Sequence, residues 1–144
     1  MFIVCLVFGY LLSAKYKHKR IFYSCFKDFN IKIKNEVAFS RNTIIDILNT
    51  GDDNDFIECV KNFYEQKEIV FNKKYLKNED LDFLNSYLIE LGQGDAFSQT
   101  DYLATMLNII EEKRLNAILE EKKYKNLYLK LSIFIGLILF VIFI

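Results

Sequence analysis

The sequence predicts an all-α protein: a helical bundle flanked by N- and C-terminal transmembrane helices. Three observations predict it. The chain of 144 residues has no Pro and only 5 Gly, so long helical stretches run unbroken. Through the middle, apolar residues recur at steps of three and four, the period of an α-helix. All the charges, 19 basic and 19 acidic, lie between Lys15 and Lys130, which leaves residues 1–14 and 131–144 uncharged. The average figures, 52% apolar and 26% charged, therefore mix an ordinary soluble middle with two apolar ends.

The chain divides accordingly. Residues 1–14, extending to about 16, form the first transmembrane helix, 15–126 a cytoplasmic helical bundle domain, and 127–144 the second transmembrane helix. Fourteen residues of helix cover only about 21 Å of a hydrocarbon core about 30 Å thick. Lys15 and Tyr16 can lengthen that reach by snorkelling. A cleaved signal peptide would carry its basic residues before the apolar run, and here they follow it. Residues 127–144 cover about 27 Å with Lys130 as their only charge. Lys15, Lys17, Lys19 and Arg20 follow the first apolar run with no acid before Asp28. Lys122, Lys123, Lys125 and Lys130 flank the second with no acid after Glu121. By the positive-inside rule the central domain is cytoplasmic and both termini point away.

The central elements follow in order. Phe22, Cys25, Phe26, Phe29, Ile33 and Val37 mark one face of a helix continuous with the first apolar run. Asn42 is a candidate N-cap for a short helix carrying Ile44, Ile45, Ile47 and Leu48, ended by Asn49-Thr50-Gly51. Asp52-Asp53-Asn54-Asp55 reads as a turn and cap before Phe56, Ile57, Val60, Phe63 and Tyr64, and lacks the spacing of a calcium loop. Residues 67–77, with Ile69-Val70-Phe71, read as helix or loop. Asn78 is the expected cap of a helix whose seam is Leu81, Leu84, Leu88 and Leu91, and Gly92 its stop. The last helix starts near Asp95 or Ser98, with Ser98 and Asp101 as a capping pair. Tyr102, Leu103, Met106, Leu107, Ile110, Arg114, Ala117 and Ile118 continue it, and about 45 residues run into the apolar tail. Glu111-Glu112 and Glu120-Glu121 fall opposite the apolar stripe, on a solvated face with local pairs to Lys113, Arg114, Lys122 and Lys123.

No constellation for catalysis emerges, and the protein is expected not to be an enzyme. His18 is the only His and sits in the basic run beside the membrane. There is no Walker A, GxSxG or HExxH motif. Cys5, Cys25 and Cys59 form no CxxC pair, so neither a metal site nor a disulfide framework is expected, and no cofactor. Zero net charge argues against nucleic acid as a partner. A load of 14 Phe and 9 Tyr exceeds what the bundle can bury, which points to an exposed patch for partners.

Leu91-Gly92-Gln93-Gly94-Asp95 followed by Gln99, and then a long charged helix with an apolar end, resembles the stage III sporulation protein AB family. There a leucine-rich helix stops at Leu-Gly, and a Ser-Asp pair and a Gln follow. Here Gly94 stands for the Ser, while Asp95 and Gln99 match. Glu36-Val37 and Asn42-Thr43-Ile44-Ile45-Asp46-Ile47-Leu48 resemble the family's segment after its first helix, without its usual prolines. The resemblance implies an antiparallel helical bundle similar to the cytoplasmic domain of type II secretion and type IV pilus platform proteins. It further implies a platform role in the channel complex that joins mother cell and forespore, facing the mother-cell cytoplasm. The implied partners are membrane lipid and the other subunits of that complex, including its AAA-family ATPase, with homo-oligomerisation left open. Gly92, Gly94, Asp95 and Gln99 would shape the turn rather than contact a partner, and the two glycines would be the one joint. The alternatives are a platform fragment of a secretion or pilus-like machine, and a membrane-anchored regulatory or toxin-type protein.

Overall fold

The computed structural model describes residues 2–39, 44–50, 54–66 and 74–142. Five helices follow in order: α1 (Phe2–Phe39), α2 (Ile44–Thr50), α3 (Asp55–Gln66), α4 (Asn78–Glu90) and α5 (Ala96–Ile142). Among the described residues there is no strand. The expected Asn42 cap, Gly51 stop, Asp52-Asp53 and Ile69-Val70-Phe71 lie outside the described residues, as do the side chains of Cys5, Val37 and Ile45.

The two long helices set the architecture. With no proline to break them, α1 runs 38 residues and α5 runs 47, about 57 and 70 Å at 1.5 Å per residue. They pack antiparallel along their length. Asn30 meets Leu103, Lys27 meets Glu111, Lys19 meets Glu120, Tyr16 meets Tyr124, and Gly9 meets Ser132. As one number rises the other falls, and both apolar ends emerge side by side from the same end of the bundle.

The core lies between α1, the shorter helices and the bundle half of α5, which contributes Leu103, Ile110 and Ala117. Phe22, Phe26, Phe29 and Ile33 of α1 are buried, as their spacing predicts, and Cys25 is half-buried beside them. Phe56, at the start of α3, is completely buried, with its ring centroid 5.4, 4.8 and 5.3 Å from those of Phe22, Phe26 and Phe29. Cys59 is buried in the same cluster and behaves as a small apolar residue. Asn54 caps α3: its Oδ1 accepts from the Ile57 N–H at 3.0 Å.

Three expectations need correction. Asn78 is not the cap of α4 but its first residue. The cap is Lys77, because Asp80, gripped by Tyr23, reaches back to accept the Lys77 N–H at 3.0 Å. At α5, Asp95 is the cap: its Oδ1 accepts from the Ser98 N–H at 2.8 Å, and the Ser98–Asp101 pair plays no such part. The paired glutamates are not a merely solvated face. Glu111 does bond Arg114 locally, but it also meets Lys27 at 3.0 Å, while Glu120 meets Lys19 at 3.3 Å and Glu121 meets Arg20 at 2.5 Å. The antiparallel register brings α1's cations against them, and only Glu112 stays exposed.

Candidate functional site

Two places gather the residues singled out by sequence: the corner between α4 and α5, and the end where α1 and α5 become apolar.

The corner is built by four residues. Gly92 and Gly94 adopt φ of +87° and +92°, a region that costs an L-residue about 1–2 kcal/mol. A Cβ on Gly92 would find only Ile44 Cδ1 at 3.8 Å, so backbone conformation rather than space selects glycine there. Asp95 caps α5, and its carboxyl is held below the usual range by hydrogen bonds from the Ser98 hydroxyl and N–H. Gln99, buried at the end of the first turn of α5, folds back over the end of α4. Its Oε1 accepts from the Gly92 N–H at 3.0 Å, and its Nε2 donates to the Glu90 carbonyl at 3.2 Å and to the Gln93 carbonyl. One side chain thus satisfies backbone groups that a helix end leaves orphaned. The corner is a stapled bend, and Phe97 stands 76% exposed beside it.

A polar clasp joins α1, α4 and α5 behind the aromatic core. The Tyr23 hydroxyl donates to Asp80, which also lies 3.5 Å from the Lys19 ammonium. Burial pushes the Asp80 carboxyl up, but the bonds from Tyr23 and Lys77 and the charge of Lys19 outweigh it and hold it below the usual range. Burial, then the bond to Asp80, pushes the Tyr23 hydroxyl far up. Further along, Asn30 is fully buried: it donates to the Leu103 carbonyl at 3.0 Å and accepts from the Tyr87 hydroxyl at 3.0 Å. Glu111, hydrogen-bonded to Arg114 and Lys27, has its carboxyl pulled down to about 2.

Toward the apolar end, the eight flanking basic residues divide into two groups. Lys19 and Arg20 are tied to Glu120 and Glu121. Lys15, Lys17, Lys122, Lys123, Lys125 and Lys130 are exposed. His18 lies against the Tyr75 ring at 5.7 Å. Between the two helices, Tyr16 stacks on Tyr124 at 4.3 Å and leans on Tyr128 at 6.5 Å.

Beyond the tyrosines the packing inverts. Gly9, Ser13, Ser132 and Gly136 are buried, while Leu11, Phe134, Ile138, Val141 and other large apolar side chains are exposed. A Cβ on Gly9 would lie 2.1 Å from Ser132 Oγ and 3.1 Å from the Tyr128 carbonyl, so glycine is what lets the helices close. The buried hydroxyls bond within their own helices, Ser13 to the Tyr10 carbonyl and Ser132 to the Tyr128 carbonyl, each at 2.8 Å. Sequence reasoning missed these four residues. Their signal is the spacing itself, Gly9-x-x-x-Ser13 and Ser132-x-x-x-Gly136. Among the described residues no helix is long and apolar enough to cross a membrane.

No curated protein and no solved structure matches the chain. The family model described as stage III sporulation protein AB matches residues 46–144, which takes in the corner, the clasp residues of α4 and α5 and the apolar tail. The match begins after α1 and after most of the segment from Glu36 to Leu48. With about two thirds of its length so matched, the chain belongs to the stage III sporulation protein AB family and takes part in sporulation.

Proposed function

We propose that this protein is a non-enzymatic membrane platform of the channel complex between mother cell and forespore. Its bundle stands on a membrane hairpin made of the two apolar ends, and faces the cytoplasm where the complex's AAA-family ATPase works. The observation that carries the membrane part is the inverted packing: small residues between the helices, large apolar ones outside. In water that arrangement exposes the side chains that ought to be buried. In lipid it is the expected one, because tails solvate large apolar groups and small residues let backbones approach. The hairpin is short, and Lys130 and the tyrosines would lengthen its reach to the headgroups.

The mechanical part rests on continuity. α1 and α5 pass from bundle to apolar end as single helices, and the α4–α5 corner is held by Gln99. A tilt imposed on the bundle would therefore reach the membrane without a flexible linker between. The reading is tested in a spore-forming host whose own copy is deleted. The native chain should restore development. Ile138→Lys, which puts a charge on an exposed position of the tail, should fail while the bundle stays folded. A charged variant that leaves the membrane fraction and still restores sporulation would sink the anchoring role.

A further inference from the structure

The six exposed lysines beside the apolar ends differ from the neighbouring Lys19 and Arg20 in having no carboxylate. Lys19, Arg20 and Lys27 are each paired across to α5. Among the described residues no ion pair involves Lys15, Lys17, Lys122, Lys123, Lys125 or Lys130. The sequence explains why: no acid precedes Asp28 and none follows Glu121, so the nearest carboxylates are consumed one turn away by Lys19 and Arg20.

The six come from two helices but form one belt. The Tyr16–Tyr124 stack and the Tyr128 ring fix the helices side by side at this level. Two of the ammonium groups lie over those rings, Lys15 at 4.9 Å from the Tyr16 centroid and Lys123 at 5.8 Å from that of Tyr124. From Lys122 to Lys130 the helix rises only about 12 Å, comparable to a headgroup layer plus the reach of a lysine. Orientation by the positive-inside rule needs only the number of cations. Cations left without a carboxylate can do more.

We infer that this belt is a binding site for the phosphodiester headgroups of anionic phospholipids, and that the protein gathers such lipids around its hairpin. The inference rests on the membrane hairpin proposed above. A zwitterionic headgroup carries its own ammonium and offers the belt little. An anionic one leaves its phosphate uncompensated, and each cation near such a surface is worth about a fivefold gain in partition. The belt is open rather than enclosed, so free phosphate, which brings no acyl chains, gains nothing from the adjoining apolar surface.

The test uses the full chain in vesicles of phosphatidylcholine with a minority of phosphatidylglycerol. After a carbonate wash the chain is extracted in mild detergent, and the lipids that stay with it are counted by mass spectrometry. The ratio of phosphatidylglycerol to phosphatidylcholine in the retained lipid should exceed that of the vesicle at least about tenfold. Exchanging all six lysines for Gln should abolish the enrichment and exchanging them for Arg should keep it. Molar salt should weaken it in the native chain, an arm that needs no variant. A chain that stays in the washed vesicles but carries lipid at the bulk ratio overturns the lipid site alone. A chain that washes out of every vesicle overturns the hairpin, and the lipid site with it. Displacement of the lipid by inorganic phosphate would show that the belt reads phosphate rather than lipid, and that too overturns it.

Discussion

Gln99→Ala removes the staple of the α4–α5 corner, and its cost can be worked from the geometry. The side chain is buried and makes three hydrogen bonds, to the Gly92 N–H and to the Glu90 and Gln93 carbonyls. A neutral hydrogen bond nets about 0.5–1.5 kcal/mol. Gly92 and Gln93 are exposed, so water can replace part of what is lost. Roughly 2 kcal/mol should remain, or a fall in Tm of about 5–10 °C for a chain of this length. Gln99→Glu separates the two roles. Its carboxylate can still accept from Gly92, but it faces the Glu90 and Gln93 carbonyls and the negative end of α4. It should therefore be at least as destabilising as Ala near neutral pH, and recover as acid protonates it and restores one donor. The assay is the helical circular dichroism signal of the full chain in mild detergent, melted at several pH values, since the chain has no Trp to follow. A change below about 0.5 kcal/mol for Gln99→Ala, the range of an ordinary surface substitution, would refute the staple.

Phe56→Ala should cost about 3–5 kcal/mol, because the ring is completely buried against three phenylalanines of α1; denaturant titration by circular dichroism checks it. Gly9→Leu should part the apolar ends without unfolding the bundle, since its Cβ alone would meet Ser132 Oγ at 2.1 Å; a spin-label pair on the two ends should read a longer distance while helicity is kept. Acid should weaken the fold as pH falls from about 4.5 toward 2. Glu111 has its carboxyl lowered to about 2, so its contribution is complete above the unfolded value and is lost as pH drops through the folded one. Asp80 is shifted the same way, and Glu111→Gln should flatten part of that loss in a denaturant series.

Much of the helical plan was legible. An unbroken apolar period and the absence of proline gave α1 and α5 their length, and Gly92 with its positive φ ends α4 where a left-handed residue is wanted. What the sequence hid is what depends on register. Whether Glu120 meets Lys123 or Lys19 is decided by how α1 slides along α5, and no local pattern encodes that slide. Tyr23, Asn30, Asp80 and Tyr87 look like surface residues by type, yet they are buried because each finds its hydrogen-bond partner on another helix. The cap of α4 moved to Lys77 for the same reason: a tertiary grip on Asp80 outweighed the local preference for Asn78. At the corner, the glycines could be read from sequence. The reach of Gln99 over the end of α4 could not, since it joins residues on two helices.

The central claim is that both ends enter the membrane as a hairpin while the bundle stays on the cytoplasmic side. Cysteine accessibility measures it most directly, in a chain with Cys5, Cys25 and Cys59 replaced by Ala and a single new thiol at Phe2, Asp101 or Ile144. In intact cells, a reagent that cannot cross the membrane should label Phe2→Cys and Ile144→Cys but not Asp101→Cys until the cells are opened. Labelling of Asp101→Cys from outside, or protection of both termini until lysis, would contradict the account.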